Sequence, residues 1–341
     1  MNHIEYNFKT TIIGSMPHKN AGSACTLIAR HLKDIPAWPQ LPKRSSLEAM
    51  DVQFGTGFPG LDIIDGKAVF NRSAGFEQSL ESLYEAYLTD NYARYAVAPE
   101  YAAGLYYFLN MAGINPWAVK GQVSGPVSWC LGISDEEGKS ILYDDILSDA
   151  AAKMLAMSGA WQEKVLKTVC KNTIIFIDEP AMSSYGSAYF SLSREKATTL
   201  INESMTKIKC LKGIHCCGNT DWGLILSTNL DILSLDAYQY GDTLSLYPEA
   251  VKAFLARGGG VAWGIVPNSE PEIIKETPAS LKDRLEETMA PLARAGIDFK
   301  LLAARSMLTP SCSLSALSEE SAEHTLVLLN ELSDLMKARH L

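Results

Sequence analysis

The segment Thr173-Ile174-Ile175-Phe176-Ile177-Asp178-Glu179 indicates the fold class of this protein most clearly. Five apolar or β-branched residues end in two carboxylates, which is typical of a buried strand that reaches the edge of a sheet. Amphipathic helical spacing occupies residues 143–170 before this run and residues 193–207 after it. A buried strand between two helical stretches indicates βα units and therefore a parallel sheet.

The same alternation of short apolar runs and helical stretches recurs along all 341 residues. No fixed-period repeat, low-complexity tract or linker interrupts it, so we predict one domain over residues 1–341. Eight βα units that close on themselves form a TIM barrel, and the predicted class is α/β with a single (β/α)8 TIM barrel. The run at 61–70 is also compatible with a hairpin, because Gly57-Phe58-Pro59-Gly60 and Asp65-Gly66 are turn sequences. The predicted strand runs are residues 10–14, 61–70, 118–123, 173–177, 213–217, 231–235, 260–265 and 299–303, and further helices are predicted at 248–257, 281–295 and 319–339.

Composition and charge argue against several classes of protein. A hydrophobic content of 47% and a charged content of 20% are typical of a globular protein with a sizeable core. The net charge of −9, without any Lys/Arg-rich cluster, makes nucleic acid and anionic membranes poor partners. The seven cysteines lack framework spacing and residues 1–6 lack a signal-peptide pattern, so we expect a cytoplasmic protein with free thiols. The mostly apolar stretch at 101–119 is broken by Gly, Asn and Pro, so no membrane span is predicted.

Polar side chains follow the predicted runs at their C-terminal ends, which is where barrel enzymes keep their chemistry. His215 and Cys217 end the fifth run two residues apart, so both side chains point the same way from a strand. Cys312 lies in the loop after the eighth run. One imidazole and two thiolates suit Zn²⁺ and leave a fourth position open, as in catalytic zinc sites. The other polar residues at these ends are Ser15, Gln122, Ser124, Asp178, Glu179 and Asp236.

Five segments resemble the C-terminal catalytic barrel of cobalamin-independent methionine synthase, in the superfamily shared with uroporphyrinogen decarboxylase and corrinoid-linked methyltransferases. Thr11-Ile12-Ile13-Gly14-Ser15-Met16-Pro17 resembles the T-x-I-G-S-F-P opening of that barrel, and Ile177-Asp178-Glu179-Pro180-Ala181 matches its I-D-E-P-A. Lys120-Gly121-Gln122-Val123-Ser124-Gly125-Pro126-Val127 resembles its K-G-x-x-T-G-P-V stretch. His215-Cys216-Cys217 and Thr309-Pro310-Ser311-Cys312-Ser313-Leu314 resemble its H-x-C and N-P-D-C-G-L zinc segments. The likeness runs in order over nearly the whole chain, and the H-C-C-G-N version is closer still to the H-x-C-G-N of methylcobalamin:thiol methyltransferases.

The resemblance implies Zn²⁺ on His215, Cys217 and Cys312. It also implies that Ser15 and Asp178 hold an amino-acid thiol, with Asp178 binding the ammonium group. The implied activity is that of a zinc-dependent S-methyltransferase which activates a thiol substrate, homocysteine, to give methionine. Zn²⁺ deprotonates a coordinating thiol, and a thiolate attacks a methyl carbon far better than a thiol does.

Two acidic residues keep alternative roles at this stage. Glu179 is either a second substrate contact or a strand-end carboxylate that caps a helix. The family's fourth zinc ligand is a glutamate after the sixth run, where this chain has Asp236. Because aspartate is one methylene shorter, Asp236 is either a zinc ligand or a hydrogen-bond acceptor for His215.

The methyl donor is expected to be a methylcorrinoid, free or on a corrinoid protein, or a small methyl compound, rather than methyltetrahydrofolate. The family's D-I-H-S motif, whose histidine serves the leaving group, is replaced by Trp263-Gly264-Ile265-Val266-Pro267-Asn268-Ser269. The 341 residues also contain no counterpart of the folate enzyme's N-terminal barrel. Two alternatives stay open: a uroporphyrinogen decarboxylase-like tetrapyrrole lyase, and a non-catalytic zinc- or corrinoid-binding partner subunit.

Overall fold

The computed structural model describes residues 4–72, 74–187 and 190–341, in which short strands alternate with helices. The strands are β1 (Lys9–Thr10), β2 (Leu61–Ile64), β3 (Lys67–Phe70), β4 (Val119–Ser124), β5 (Thr173–Asp178), β6 (Leu211–Cys216), β7 (Ile232–Leu235), β8 (Gly260–Val266) and β9 (Ser306–Pro310). The α-helices are α1 (Ala21–His31), α2 (Met50–Gln53), α3 (Phe76–Leu88), α4 (Ala103–Leu109), α5 (Pro126–Gly132), α6 (Asp145–Leu166), α7 (Arg194–Met205), α8 (Trp222–Leu226), α9 (Ala237–Tyr240), α10 (Pro248–Ala256), α11 (Glu270–Ile273), α12 (Pro278–Arg294), α13 (Phe299–Ala304) and α14 (Glu319–His340). None of the helices in these three ranges is long and apolar enough to cross a membrane.

Seven of the strands form one parallel sheet, in the order β1-β9-β8-β7-β6-β5-β4. Helices connect successive strands, as parallel connections require. Each of the five helical stretches predicted from the sequence contains most of one helix: α6, α7, α10, α12 and α14. The predicted α/β class with a parallel sheet is therefore confirmed.

Residues 36–40 lie between the two edges of this sheet. On one side the Lys120 amide of β4 donates to the Pro36 carbonyl over 2.9 Å. On the other side the Gln40 amide donates to the Gly14 carbonyl, just past β1, over 3.1 Å. These contacts are isolated parallel bridges and not a strand. Where the sequence predicts eight regular strands, the structure has seven parallel strands and an irregular segment that bonds both edges.

Two of the predicted runs are not strands of the parallel sheet. For the run at 61–70 the hairpin alternative is confirmed, because β2 and β3 form an antiparallel pair separate from the seven-stranded sheet. Asp65 and Gly66 form its turn with φ of 49° and 74°, as a two-residue turn between antiparallel strands requires. The run at 299–303 lies in helix α13, whose first turn is capped by the Asp298 carboxylate. The strand that the sequence misplaced is β9, which follows directly after that helix.

The hydrophobic core has two parts. The larger part includes helical side chains and the fully buried Trp38, Trp129, Trp222 and Trp263. The smaller part unites residues from strands that are not neighbours in the sheet, so the sheet must curve around them. Its buried members are Tyr6, Ile35, Ala118, Ile174, Phe176, Ile232, Ala262 and Met307.

Candidate metal and substrate site

The C-terminal ends of β5, β6 and β7 bring three polar residues into one row. Parallel register pairs Asp178 with His215, and His215 with Ser234. Because paired residues of parallel strands project from the same face, the three side chains are neighbours. His215 is buried, with 2% of its surface exposed, and Asp178 is partly buried.

His215, Cys217 and Cys312 bring one nitrogen and two sulfur atoms to within 4.8 Å of one another. Cys217 stands one residue past β6 and Cys312 two residues past β9. His215 Nδ1 lies 3.0 Å from the Ser234 hydroxyl, whereas its buried Nε2 has no hydrogen-bond partner. Buried polar atoms are rarely left unpaired. Within the described ranges, this is the one group of three or more His, Cys, Asp or Glu side chains with metal-binding geometry.

The two thiols of this group affect each other's ionisation. The neighbouring Cys312 and His215 lower the pKa of Cys217, whereas the proximity of Cys217, together with burial, raises the pKa of Cys312. Of the two sulfurs, Cys217 therefore ionises more easily. Zn²⁺ requires deprotonated cysteine and neutral imidazole ligands, so the unpaired Nε2 and the N,S,S donor set fit that ion.

Asp178 presents a buried carboxylate oxygen beside this group. Its Oδ1 has no hydrogen-bond partner. Burial raises the pKa of Asp178 to about 6, although the charges of Lys120 and His215 oppose that rise. A buried oxygen without a donor is unfavourable unless a bound group supplies one, and a charged donor such as an ammonium group forms a strong hydrogen bond with a carboxylate.

Ser15 stands on the loop after β1, which is the strand next to β9. Its hydroxyl donates to Gln40 Oε1 over 3.4 Å. Its carbonyl accepts from the Leu314 amide over 3.1 Å, which joins the Ser15 backbone to the loop that carries Cys312. Ser15 and Cys312 are thus held at the same end of neighbouring strands.

The Glu179 carboxylate is bonded to the start of α5. Its Oε1 accepts from the Val127 amide over 2.9 Å, and its Oε2 accepts from the Ser128 amide over 2.8 Å and the Ser128 hydroxyl over 2.6 Å. The residue is fully buried, and this burial raises its pKa to about 7 against the effect of the three hydrogen bonds. Of the two roles considered from the sequence, this geometry favours the helix cap over the substrate contact.

Asp236 also begins a helix. Its Oδ1 accepts from the Gln239 amide over 2.9 Å at the start of α9, and burial raises its pKa to about 6. The group bonded to His215 Nδ1 is Ser234, and the acceptor role of Asp236 towards His215 stays a prediction. Asp236 is also not among the side chains whose ligand atoms converge, and its role as a zinc ligand stays a prediction. Ser234 was missed, although it is a hydroxyl between two leucines of a predicted strand.

Comparisons with known proteins give a match at the level of structure. No protein-family model and no curated protein matches the chain. A B12-independent methionine synthase from Shewanella sp. W3-18-1, solved in complex with selenomethionine, has a similar structure, with a TM-score of 0.61 and 16% identity. The match covers 97% of this chain and 98% of that chain. At this identity the likeness shows a shared fold, which confirms the barrel resemblance that the sequence motifs indicate.

Proposed function

We propose that the protein is a zinc-dependent S-methyltransferase that methylates the thiol of homocysteine to give methionine. The observation that carries this proposal is the convergence of His215, Cys217 and Cys312 within 4.8 Å. The unpartnered Asp178 oxygen beside them adds a site for an amino group. The structural similarity to a protein described as a methionine synthase supports the same acceptor.

His215 would hold zinc through Nε2, while Ser234 keeps the ring oriented through Nδ1. Cys217 and Cys312 would supply two thiolate ligands, whose negative charge favours thiol alkylation over hydrolysis. When bound, Zn²⁺ supplies the Lewis acidity that turns a thiol into a nucleophile near neutral pH. The protein's own part in the reaction is to hold this donor set and to orient the acceptor.

Asp178 would orient the acceptor through its ammonium group. Oδ1 lies buried on the strand next to His215 and has no other donor. Ser15, on the loop joined to the one that carries Cys312, supplies a hydroxyl at the same end of the sheet. Both residues would select an amino-acid thiol over a simple alkyl thiol.

The proposed methyl donor is a methylcorrinoid or a small methyl compound rather than methyltetrahydrofolate. Asn268 lies in the segment after β8 that replaces the family's histidine motif. Its amide is engaged, because Nδ2 donates to the Ser313 carbonyl over 3.1 Å and Oδ1 accepts from the Ser311 hydroxyl over 2.9 Å. An amide does not protonate a leaving group, and displacement of a folate amine needs a general acid. A methyl donor whose leaving group departs without being protonated is therefore more compatible with Asn268 than methyltetrahydrofolate is.

A donor screen tests the activity. Zinc-loaded protein is incubated with homocysteine and, in separate reactions, with methylcobalamin, a methylated sulfonium or ammonium compound, and methyltetrahydrofolate. We expect methionine from one of the first two donors and none from the folate. Methionine from the folate alone would contradict the donor proposal, and no methionine from any donor would contradict the methyltransferase proposal.

The Asp178→Asn substitution tests the acceptor. Hydrogen bonds to charged groups contribute about 1.5–3 kcal/mol, so homocysteine affinity should fall on the order of 10- to 100-fold. Zinc content should not change, and a thiol without an amino group should be affected little. An equal loss with both thiols would show that Asp178 shapes the end of the barrel rather than binding an amino acid.

A further inference from the structure

Lys120 is a fully buried lysine in β4. Its ammonium lies 4.3 Å from the ring centroid of Phe176, a member of the core inside the sheet. Burial lowers the pKa of Lys120 to about 8, and the charge of Asp178 opposes that effect. Removing an ammonium group from water is unfavourable unless hydrogen bonds and opposite charge compensate. The hydrogen bonds and charges around the Lys120 ammonium therefore indicate the role of this side chain in the structure.

Lys120 bonds both edges of the seven-stranded sheet. Its backbone amide and carbonyl are hydrogen-bonded to Pro36 and Trp38 of the irregular segment, over 2.9 and 3.2 Å. Its Nζ reaches beyond that segment and donates to the Ile13 carbonyl, just past β1, over 2.6 Å. One residue thus joins β4 to the end of β1 at the place where a regular eighth strand is lacking.

The backbone around Gly14 has little room to move. A Cβ atom at Gly14 would lie 2.7 Å from Gln122 Cδ and 2.9 Å from Gln40 Oε1. Gln122 Oε1 in turn accepts from Lys120 Nζ over 3.2 Å, and Gln40 Oε1 accepts from the Ser15 hydroxyl. Lys120 and the two glutamines therefore hold the loop on which Ser15 stands.

We propose that Lys120 is a positioning residue for the amino-acid thiol: by holding the Ile13 carbonyl it fixes Ser15 at the substrate end of the barrel. The inference rests on the proposed function, because it assigns Ser15 to the acceptor. Lys120 is not one of the side chains that converge on the metal site. Its effect on the acceptor is transmitted through Ser15, and zinc binding is independent of it.

The Lys120→Met substitution tests this inference, since it removes the donor and the charge at similar volume. The dissociation constant of homocysteine is measured by calorimetry on zinc-loaded protein. We expect it to rise about 10- to 100-fold, the range for loss of hydrogen bonds to a charged group. Zinc content and the affinity for a thiol that lacks amino and carboxylate groups should stay unchanged. Unchanged homocysteine affinity, or an equal loss with both thiols, would overturn the inference.

A double-mutant cycle with Ser15→Ala shows whether Lys120 acts through Ser15. If it does, the double variant should bind homocysteine no more weakly than the single variant that binds it more weakly. If the two residues act independently, the losses of binding free energy in the two single variants should add up in the double variant. Additivity would overturn the inference. Gln40→Met, which breaks the hydrogen bond of the Ser15 hydroxyl and leaves the buried ammonium in place, is the second variant should Lys120→Met not fold. It should weaken homocysteine binding in the same way, and normal binding would overturn the inference.

The homocysteine-binding measurements need no methyl donor, so they test the role of Lys120 separately from the proposed methyltransferase activity. Failure of every donor to give methionine, together with the predicted affinity pattern, would contradict the methyltransferase activity and leave the role of Lys120 standing. Methionine formation with normal affinity in Lys120→Met would contradict the role of Lys120 alone. Wild-type protein that does not bind homocysteine would overturn both.

Discussion

Ser234 determines which nitrogen of His215 is free for a ligand. Its hydroxyl lies 3.0 Å from Nδ1, and Nε2 is left without a partner beside the two thiols. The sequence identified the three candidate ligands because His215 and Cys217 lie at the C-terminal end of one predicted strand and Cys312 lies in the loop after another. It could not identify Ser234, because the bond depends on the register between β6 and β7 and not on a motif.

At the residue scale, the Ser234→Ala substitution should weaken zinc binding about 10- to 100-fold, the range for loss of a partner that orients a metal ligand. Ser204→Ala is the matched control, because this buried hydroxyl donates to the Ile201 carbonyl of its own helix, α7. Titration with a competing chelator measures both affinities. An equal loss in Ser204→Ala and Ser234→Ala would contradict the role given to Ser234.

At the element scale, the start of α5 and the loop after β5 are held together by Ser128. Its hydroxyl donates to Glu179 Oε2 over 2.6 Å and accepts from the Ala181 amide over 3.0 Å. Because Glu179 directly follows Asp178, this contact also holds the proposed substrate carboxylate in place. A seven-residue helix has little stability of its own, so such contacts determine where it begins.

The Ser128→Ala substitution should lower the free energy of unfolding by about 1–3 kcal/mol, because the buried Glu179 carboxylate loses one hydrogen bond and the Ala181 amide loses its acceptor. Ser183→Ala is the control, since that exposed hydroxyl donates only to a carbonyl in its own loop. The control should stay within about 0.5 kcal/mol of wild type. Denaturant unfolding measures both, and equal stability of the two variants would contradict the role given to Ser128.

The sequence predicts some strands and helices correctly and others not. It predicts the long amphipathic helices and the strands from β4 to β8, since their hydrophobic patterns are long and are bounded by clear turn sequences. The run at 299–303 was assigned to a strand because a short apolar run fits a strand and a helix equally well. Residues 36–40 escaped prediction altogether, since they bond both edges of the sheet through isolated bridges and carry no strand pattern.

At the scale of the whole molecule, the candidate site depends on curvature. Cys217 follows β6 and Cys312 follows β9, and β7 and β8 separate these strands in the sheet. In a flat sheet three steps between strands would span about 14 Å, yet the ligand atoms lie within 4.8 Å of one another. The sequence predicted this convergence because it predicted a parallel barrel, in which all strand ends meet at one face.

If the fold brings these three side chains together to bind zinc, the zinc content of the protein should depend on each of them. Cys312→Ala is compared with Cys216→Ala, whose sulfur is fully buried in the core next to Cys217 and is not among the converging atoms. Zinc per chain is measured after purification in the presence of zinc and removal of the excess. We expect one equivalent of zinc in wild type and in Cys216→Ala, and loss of most zinc in Cys312→Ala. Full zinc in Cys312→Ala, or loss of zinc in Cys216→Ala, would contradict it.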